Sequence, residues 1–353
     1  MTRVAFVITS KGQPGGVERR FLRVSEVLDS RPTIECVLLA TGSFFSSFES
    51  NQVTSFELKS RGLLRRVIEI SVIVWRADID HVHIASNPGL LSAFLCAAVR
   101  FSGKKISVSS VDSSRVQLDH FSLVSKFAHR ITYRLTNRID FLSDSILKTH
   151  NNLFGVERDK SRVSECSFLA NKVNEIKAVD RDIDLCFVAR LVPLKGIELL
   201  FDALSEIAAP LNVSICGEGP MKSYIYSKLD VIDNHNISVG YCENPIEKLS
   251  RSKVFLSLQD YNNYPSQSVF EAIKSGCLVI ATDVGETRKI LNDENSILIR
   301  NKDELVSAIK AALGNSAFRK LLVQESEKVF QKHNIEKFSS YFEHEILGLE
   351  SPH

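Results

Sequence analysis

Apolar runs of strand length alternate with segments of helical period along this chain, and the alternation runs its course twice. Val4–Ile8 reads as a buried strand. After it come Val17, Phe21, Val24 and Leu28 at spacings of four, three and four, which is one face of a helix. Glu35–Leu39 reads as a strand, Leu63–Trp75 as a helix, His81–Ala85 as a strand, Pro88–Phe101 as a helix and Lys105–Ser109 as a strand. A basic helix over Ser122–Asn137 and a short strand at Phe141–Leu142 follow. The pattern restarts at Leu185–Ala189 and runs through helix Ile197–Ile207, strand Asn212–Cys216, helix Met221–Leu229 and strand Ile237–Val239. It closes with helix Pro245–Ser250, strand Val254–Leu258, helix Ser268–Ser275 and strand Leu278–Thr282. Strands that alternate with helices form parallel sheets covered by helices, so two such series predict two doubly wound α/β domains. The joint is expected in the polar stretch Leu169–Asp184. This gives a domain over 1–170 and a second over 171–335, with a C-terminal helical segment, 336–353, packing back toward the first.

The length of 353 residues suits two domains of ordinary size, and 44% hydrophobic with 24% charged residues is normal for a globular chain. The opening apolar run is too short for a signal segment. No apolar run reaches the roughly 18 residues a membrane span needs; Ile68–Val74 comes closest but is cut by Glu69 and flanked by Arg65, Arg66 and Arg76. The seven cysteines are scattered without a Cys-x-x-Cys pair, and buried thiols in a reducing cytosol are expected. Residues 1–165 hold 23 Lys and Arg against 16 Asp and Glu, so the first half is basic and the second acidic. A basic half can face an anionic membrane or an anionic acceptor. No nucleic-acid partner is expected.

Four motifs sit where such a fold would place a ligand. Gly15-Gly16-Val17-Glu18 links the first strand to the first helix, where glycines admit a close ligand and the helix N-terminus attracts anions. The same residues also serve an ordinary turn. Arg190 and Lys195 bracket Leu191-Val192-Pro193-Leu194 at a strand exit, the edge where ligands of open α/β sheets bind. Two cations there suit a diphosphate, against the bland alternative of a solvated charged loop. Gly217-Glu218-Gly219-Pro220 is a tight turn before a helix and lies on the same edge. Tyr264-Pro265-Ser266-Gln267-Ser268 leads to Glu271, a carboxylate able to accept hydrogen bonds from ribose hydroxyls or else an exposed helical glutamate.

These pieces, with Phe187-Val188-Ala189-Arg190, Glu271-Ala272-Ile273, Gly276 and Val279-Ile280-Ala281-Thr282, occur in the order seen in glycosyltransferase family 4, and the chain resembles that family over nearly its whole length. The resemblance implies a GT-B fold, two Rossmann-like domains facing a central cleft. It also implies a retaining, metal-independent transferase of hexosyl or N-acetylhexosaminyl groups. The donor would be a nucleotide-diphosphate sugar used as co-substrate, UDP-sugar first, with no resident cofactor. Arg190 and Lys195 would hold the diphosphate and Glu271 the ribose, the three forming the catalytic set. Gly15 and Gly16 would close over the diphosphate, and Gly217, Tyr241, Ser266 and Gln267 would border the nucleotide. The acceptor would be a glycan or lipid-linked glycan of a surface polysaccharide pathway. From the cysteines and the charge, apart from the resemblance, the expected setting is cytoplasmic, with peripheral attachment of the basic half to the inner face of the membrane. A non-catalytic sugar-nucleotide binder and a sugar-nucleotide epimerase on the same fold are the alternatives.

The sequence departs from the family pattern twice. Asn263 stands where the first of two glutamates is usual, so Asp260, Asn262 and Asn263 are candidates for that region. Ser107–Asp112 lacks the usual histidine and leaves Asp112 as the nearest polar candidate. Asp78-Ile79-Asp80 could bind a metal in another transferase fold but precedes a strand, at the wrong sheet edge; His81 and His83 follow it. The helix Ser122–Asn137 carries Lys126, His129, Arg130 and Arg134, with Arg138 just beyond, interleaved by Phe127, Ile131 and Leu135. Two readings stand side by side: a core helix with a solvated face, or a helix held on anionic lipid by charge that salt would screen.

Overall fold

The computed structural model describes residues 1–9, 16–45, 53–85, 88–111, 122–170, 180–262 and 264–349. The chain divides into two compact units, one formed by Met1–Ala170 with His333–His353 and the other by Asn171–Lys332.

The first unit is built on strands β1 (Thr2–Ile8), β2 (Ile34–Thr41), β3 (Thr54–Leu58), β4 (His81–Ile84), β5 (Lys105–Ser110), β6 (Arg138–Phe141) and β7 (Ser161–Val163). All pair in parallel in the order β3-β2-β1-β4-β5-β6-β7, so the winding reverses beside β1. Its helices are α1 (Gly16–Asp29), α2 (Gly42–Phe45), α3 (Leu63–Arg76), α4 (Leu90–Phe101), α5 (Leu123–Leu135) and α6 (Asp144–Phe154). Alternate residues of β1 serve opposite faces, as strand geometry requires. Val4, Phe6 and Ile8 pack with Phe21 and Val24 of α1. Ala5 and Val7 belong to the other face, with Ile70 and Val74 of α3, Leu95 and Val99 of α4, and Tyr133 of α5.

The chain's last helix, Ile335–Tyr341, and the π-type turn Phe342–Ile346 complete the α1 side, where Phe338, Phe342 and Ile346 are buried with Phe6 and Phe21. Polar contacts fix the segment. The Tyr341 hydroxyl donates to Asp140 Oδ1 at 2.9 Å while Ser109 donates to Asp140 Oδ2 at 2.8 Å. Glu343 pairs with Arg31, and Glu345 with Arg162 at 2.6 Å. Burial pushes the Asp140 carboxyl above its ordinary range, against the pull of Arg20 and of these two hydroxyls. The helical stretch that leads here is divided into Ser316–Ser326, Val329–Lys332 and Ile335–Tyr341 before the π turn. Asn334 supplies one new start by accepting from the Lys337 N–H at 2.9 Å, an N-cap.

The second unit holds β8 (Ile183–Val188), β9 (Asn212–Cys216), β10 (Asn236–Gly240), β11 (Ser252–Ser257), β12 (Leu278–Thr282) and β13 (Ile297–Ile299), parallel in the order β10-β9-β8-β11-β12-β13. Helices α7 (Ile197–Leu204), α8 (Lys222–Leu229), α9 (Pro245–Ser250) and α10 (Gln267–Lys274) connect the first five, and α11 (Lys302–Gly314) follows β13. Leu185, Phe187, Ile215, Leu256 and Ile280 form one core with Leu200, Phe201, Leu305 and Ile309. The order reverses between β8 and β11, so the crevice beyond their carboxyl ends is the place for a ligand.

Two of the cysteines are not the buried thiols expected of them. Cys216, at the end of β9, and Cys242, just after β10, form a disulfide across neighbouring parallel strands, with Cα atoms 5.5 Å apart. Parallel pairing sets Cys216 beside Gly240, which brings two cysteines 26 residues apart into bonding range. Among the others, Cys36, Cys96, Cys186 and Cys277 are buried thiols. Burial pushes Cys186 up to about 11 and Cys277 up to about 12.

Candidate active site

Three loops meet beyond the carboxyl ends of β8, β9 and β11, and main-chain hydrogen bonds lock them together. Leu191 N–H donates to the Glu218 carbonyl at 2.8 Å and Met221 N–H to the Leu191 carbonyl at 2.9 Å, joining the loops after β8 and β9. Asp260 N–H donates to the Leu194 carbonyl at 3.3 Å, joining the loop after β11. Two glycines make this closeness possible. A Cβ on Gly217 would collide with the Ala189 carbonyl, and one on Gly196, at φ +78°, with the Leu258 carbonyl.

Arg190 and Lys195 stand at the two ends of the β8 loop. Arg190 is exposed, whereas Lys195 is buried, its Nζ 5.2 Å from the centre of the Tyr261 ring. The turn that brings Lys195 inward contains Leu194 in the left-handed region at φ +71°, followed at once by Gly196. Burial first, and the neighbouring Arg190 guanidinium second, push the Lys195 ammonium down to about 8, against the opposing pull of Asp260. An anion between the two cations would offset that repulsion.

The direction of that shift has two consequences. Between about 8 and its ordinary 10.5, Lys195 is neutral in the folded protein but charged in the unfolded chain. Its contribution therefore makes the free protein more stable as pH rises across that window. Affinity for a nucleoside diphosphate moves the opposite way and is expected to fall as pH rises through about 8, where the cation is lost. Calorimetric titration with UDP on either side of that pH checks it; affinity that is level across it would detach Lys195 from anion binding.

Glu271 lies in the second turn of α10, which descends from the same edge. It is only 6% exposed, which removes the reading of a solvated helical glutamate. Ser266 occupies the N-cap position of α10, its Oγ 3.1 Å from Ser268 Oγ, and half-buried Gln267 opens the helix. Ser266 also lines a small cavity with Ser257, Gln259 and Tyr264. Gly217 closes β9, its N–H bonded to the Gly240 carbonyl at 2.9 Å. Tyr241 is exposed at the end of the edge strand β10, beside the Cys216–Cys242 bridge.

The loop after β11 separates the candidates for the first-glutamate region. Asn262 is a structural pin: its Oδ1 accepts from Tyr264 N–H at 3.2 Å and Glu286 N–H at 3.0 Å, and its Nδ2 donates to Glu286 Oε2 at 3.0 Å. Asp260 is exposed and is the acid that acts on Lys195. Asn263 lies outside the described residues, as do Gly15 and Asp112, whereas Gly16 is exposed at the start of α1. Tyr261, against Lys195, and the Asn262–Glu286 link were not singled out in the sequence. Their only signal was position within an irregular loop at a strand exit.

The other candidates are engaged elsewhere. Asp78 pairs with Lys104 at 3.1 Å, and Asp80 accepts from the Arg3 N–H at 2.9 Å, both before β4. His81 and His83 are buried, bonded to Ser107 at 2.8 and 2.9 Å, and burial pushes His81 down to about 3. Among the described residues no cluster of three or more His, Cys, Asp or Glu is placed to hold a metal.

Two doubly wound, all-parallel units of this kind define the GT-B fold class. Residues 182–315, most of the second unit and including Arg190, Lys195, Gly217 and Glu271, match the family model described as Glycosyl transferases group 1. No curated protein sequence matches the chain. Solved structures do. The Anabaena protein Alr3699/HepE in complex with UDP-glucose is similar with a TM-score of 0.79 at 14% identity, over 99% of this chain and 100% of that one. The lipopolysaccharide outer core galactosyltransferase WaaB is similar with a TM-score of 0.70 at 14% identity, over 98% and 99%. A Listeria monocytogenes protein assigned as a UDP-N-acetylglucosamine 2-epimerase reaches 0.62 at 12% identity, over 99% and 98%. At such identities the likeness establishes the fold.

Proposed function

We propose that the protein is a retaining glycosyltransferase that moves a hexosyl or N-acetylhexosaminyl group from a nucleoside-diphosphate sugar to an acceptor hydroxyl. The observation that carries this reading is the Arg190–Lys195 pair at the sheet's switch point, inside the segment that matches the transferase family model. In the reaction the bond between the anomeric carbon and the donor phosphate breaks, and negative charge gathers on the departing diphosphate. Arg190 and Lys195 stabilise that charge as it develops, the kind of interaction that accelerates a reaction most. The departing phosphate takes the acceptor proton as the new glycosidic bond forms. Glu271 holds the ribose hydroxyls, and Gly217, Tyr241, Ser266 and Gln267 border the nucleotide. The two cations occupy the role a metal would otherwise fill, so turnover is expected to continue in EDTA.

UDP-sugars are the first donors to test, on the strength of the similar fold of HepE, which was solved with UDP-glucose. The similar fold of WaaB supports a surface-glycan or lipid-linked acceptor. A thermal-shift screen against UDP, GDP and ADP should pick out one base, because a ligand that binds the folded state raises apparent stability by mass action. Donor consumption with the matching nucleotide sugar, measured with and without a glycan acceptor, then tests the activity. A second reading, an epimerase, rests on the fold shared with the Listeria protein. It would yield an isomerised nucleotide sugar and no free diphosphate. Binding without either product would leave only a sugar-nucleotide binder.

A further inference from the structure

The first unit carries an apolar surface that the transferase chemistry does not use. Helices α3, α4 and α5 form one layer on the sheet, with α4 packed against both neighbours. Their inner faces are ordinary core: Val67, Ile70 and Val74 of α3, Leu95 and Val99 of α4, and Ala128 and Tyr133 of α5. Their outer faces are apolar as well. On α3, Leu64, Ile68 and Trp75 recur at helical spacing on the side away from Ile70 and Val74, and Trp75 is 78% exposed. Phe94 and Phe101 do the same on α4, with Phe101 93% exposed, and Leu123 and Phe127 on α5, with Leu123 85% exposed. Of the seventeen exposed large apolar side chains among the described residues, ten lie on these three helices. A helix that is apolar on both sides is built to be covered on both.

Charge identifies the cover. The three helices carry seven Lys and Arg and a single acid, Glu69. Glu69 is committed locally, its carboxylate accepting from the N–H groups of Lys59 at 2.9 Å and Ser60 at 3.0 Å. Along the exposed line of α5, Leu123 and Phe127 give way to Arg130 and Arg134, one turn after another. A second copy of the chain would set this cationic face against itself, and like charges facing each other oppose such a contact. A sheet of anionic headgroups over hydrocarbon satisfies both the cations and the aromatic rings. No helix among the described residues is long and apolar enough to cross a membrane, so the helices would lie on the surface.

We propose that the outer face of α3, α4 and α5 docks the protein on an anionic bilayer, with Trp75, Phe101, Leu123 and Phe127 entering the headgroup–acyl boundary and Arg130 and Arg134 meeting lipid phosphates. This assignment stands independently of the activity of the second unit. It also changes the salt dependence that the basic helix alone implies. A purely electrostatic attachment is lost at high salt, whereas inserted aromatic and leucine side chains keep part of it.

Trp75 is the chain's one tryptophan, so its fluorescence reports on this face directly. With the full chain and vesicles of phosphatidylcholine mixed equally with phosphatidylglycerol, its emission should shift to the blue, and the protein should sediment with the lipid. Vesicles of phosphatidylcholine alone should bind it roughly ten-fold less well, and R130Q with R134Q should remove most of that preference. F101S with F127S should reduce binding to the anionic vesicles by about ten-fold and abolish the fraction that survives high salt. An unshifted emission with no sedimentation of the wild-type protein overturns the proposal without recourse to any variant. So does a folded F101S/F127S protein that binds as the wild type does. Self-association without lipid, with Trp75 already blue-shifted and F127S dissolving the assembly, would assign the face to a second copy instead.

Discussion

Replacing Lys195 by alanine is expected to reduce donor turnover by at least about ten-fold, the scale of 1.4 kcal/mol of lost transition-state stabilisation, and replacing Arg190 by at least as much. The two residues are not equivalent in kind. Lys195 is buried against Tyr261, and burial and Arg190 together already oppose its charge. A diphosphate that restores that charge gains from a site that water screens poorly. Arg190 is exposed, and the planar fork of an arginine suits paired hydrogen bonds to phosphate. Lys195→Ala should therefore weaken binding of the free nucleotide as well as turnover, and Arg190→Ala should act more on kcat. The double variant should lose less than the product of the two if the residues act on one anion. Steady-state kinetics on folded variants decides the matter; turnover at wild-type rates in both would remove the diphosphate from this loop.

Glu271→Ala is expected to lower affinity for the free nucleotide by roughly ten-fold or more, since hydrogen bonds to a charged group are worth about 1.5–3 kcal/mol each. A carboxylate that holds ribose acts equally before and during the reaction, so the loss should appear in binding and not in kcat alone. Glu271→Gln, which keeps the shape and one acceptor oxygen, should recover part of it. Isothermal titration with the nucleotide is the measurement. Unchanged affinity in both variants, accompanied by a lowered melting temperature, would make Glu271 a packing residue of α10.

The strands of both cores were legible because buried parallel strands are short, continuous apolar runs, as in Val4–Ile8 and Leu278–Thr282. The strands that escaped notice lie toward the margins of the sheets. Residues Thr54–Ser55-Phe56-Glu57 of β3 are all exposed, so no burial pattern marks the strand, and β7 and β13 have three residues each. The basic helix was placed to within two residues, and Ser122 caps it by accepting from the Ser125 N–H. Of its interleaved apolar residues Phe127 is exposed, and Ala128, His129, Thr132 and Tyr133 form the buried face. Aromatic character alone does not say which side of a helix is wet. The strand-exit motifs located Arg190, Lys195 and Gly217 on one edge, since βα connectivity dictates the edge before any side chain is placed. The burial of Lys195 and Glu271, the Asn262 pin and the Cys216–Cys242 bridge were not legible, because each depends on which strands become neighbours rather than on spacing along the chain.

The path of the chain also sets an order of assembly. The second unit is one continuous stretch, Asn171–Lys332, whereas the first is completed only by His333–His353. During synthesis the strands of Met1–Ala170 therefore wait for the segment that follows Lys332. Until Phe338 and Phe342 emerge, the face formed by Phe6 and Phe21 has no lid, and Asp140 lacks the hydroxyl of Tyr341. Of these two units, the one whose strands are made earlier is thus the one closed later. A released chain truncated before Ile335 would keep the whole stretch of the second unit and leave an apolar surface on the first for chaperones to hold.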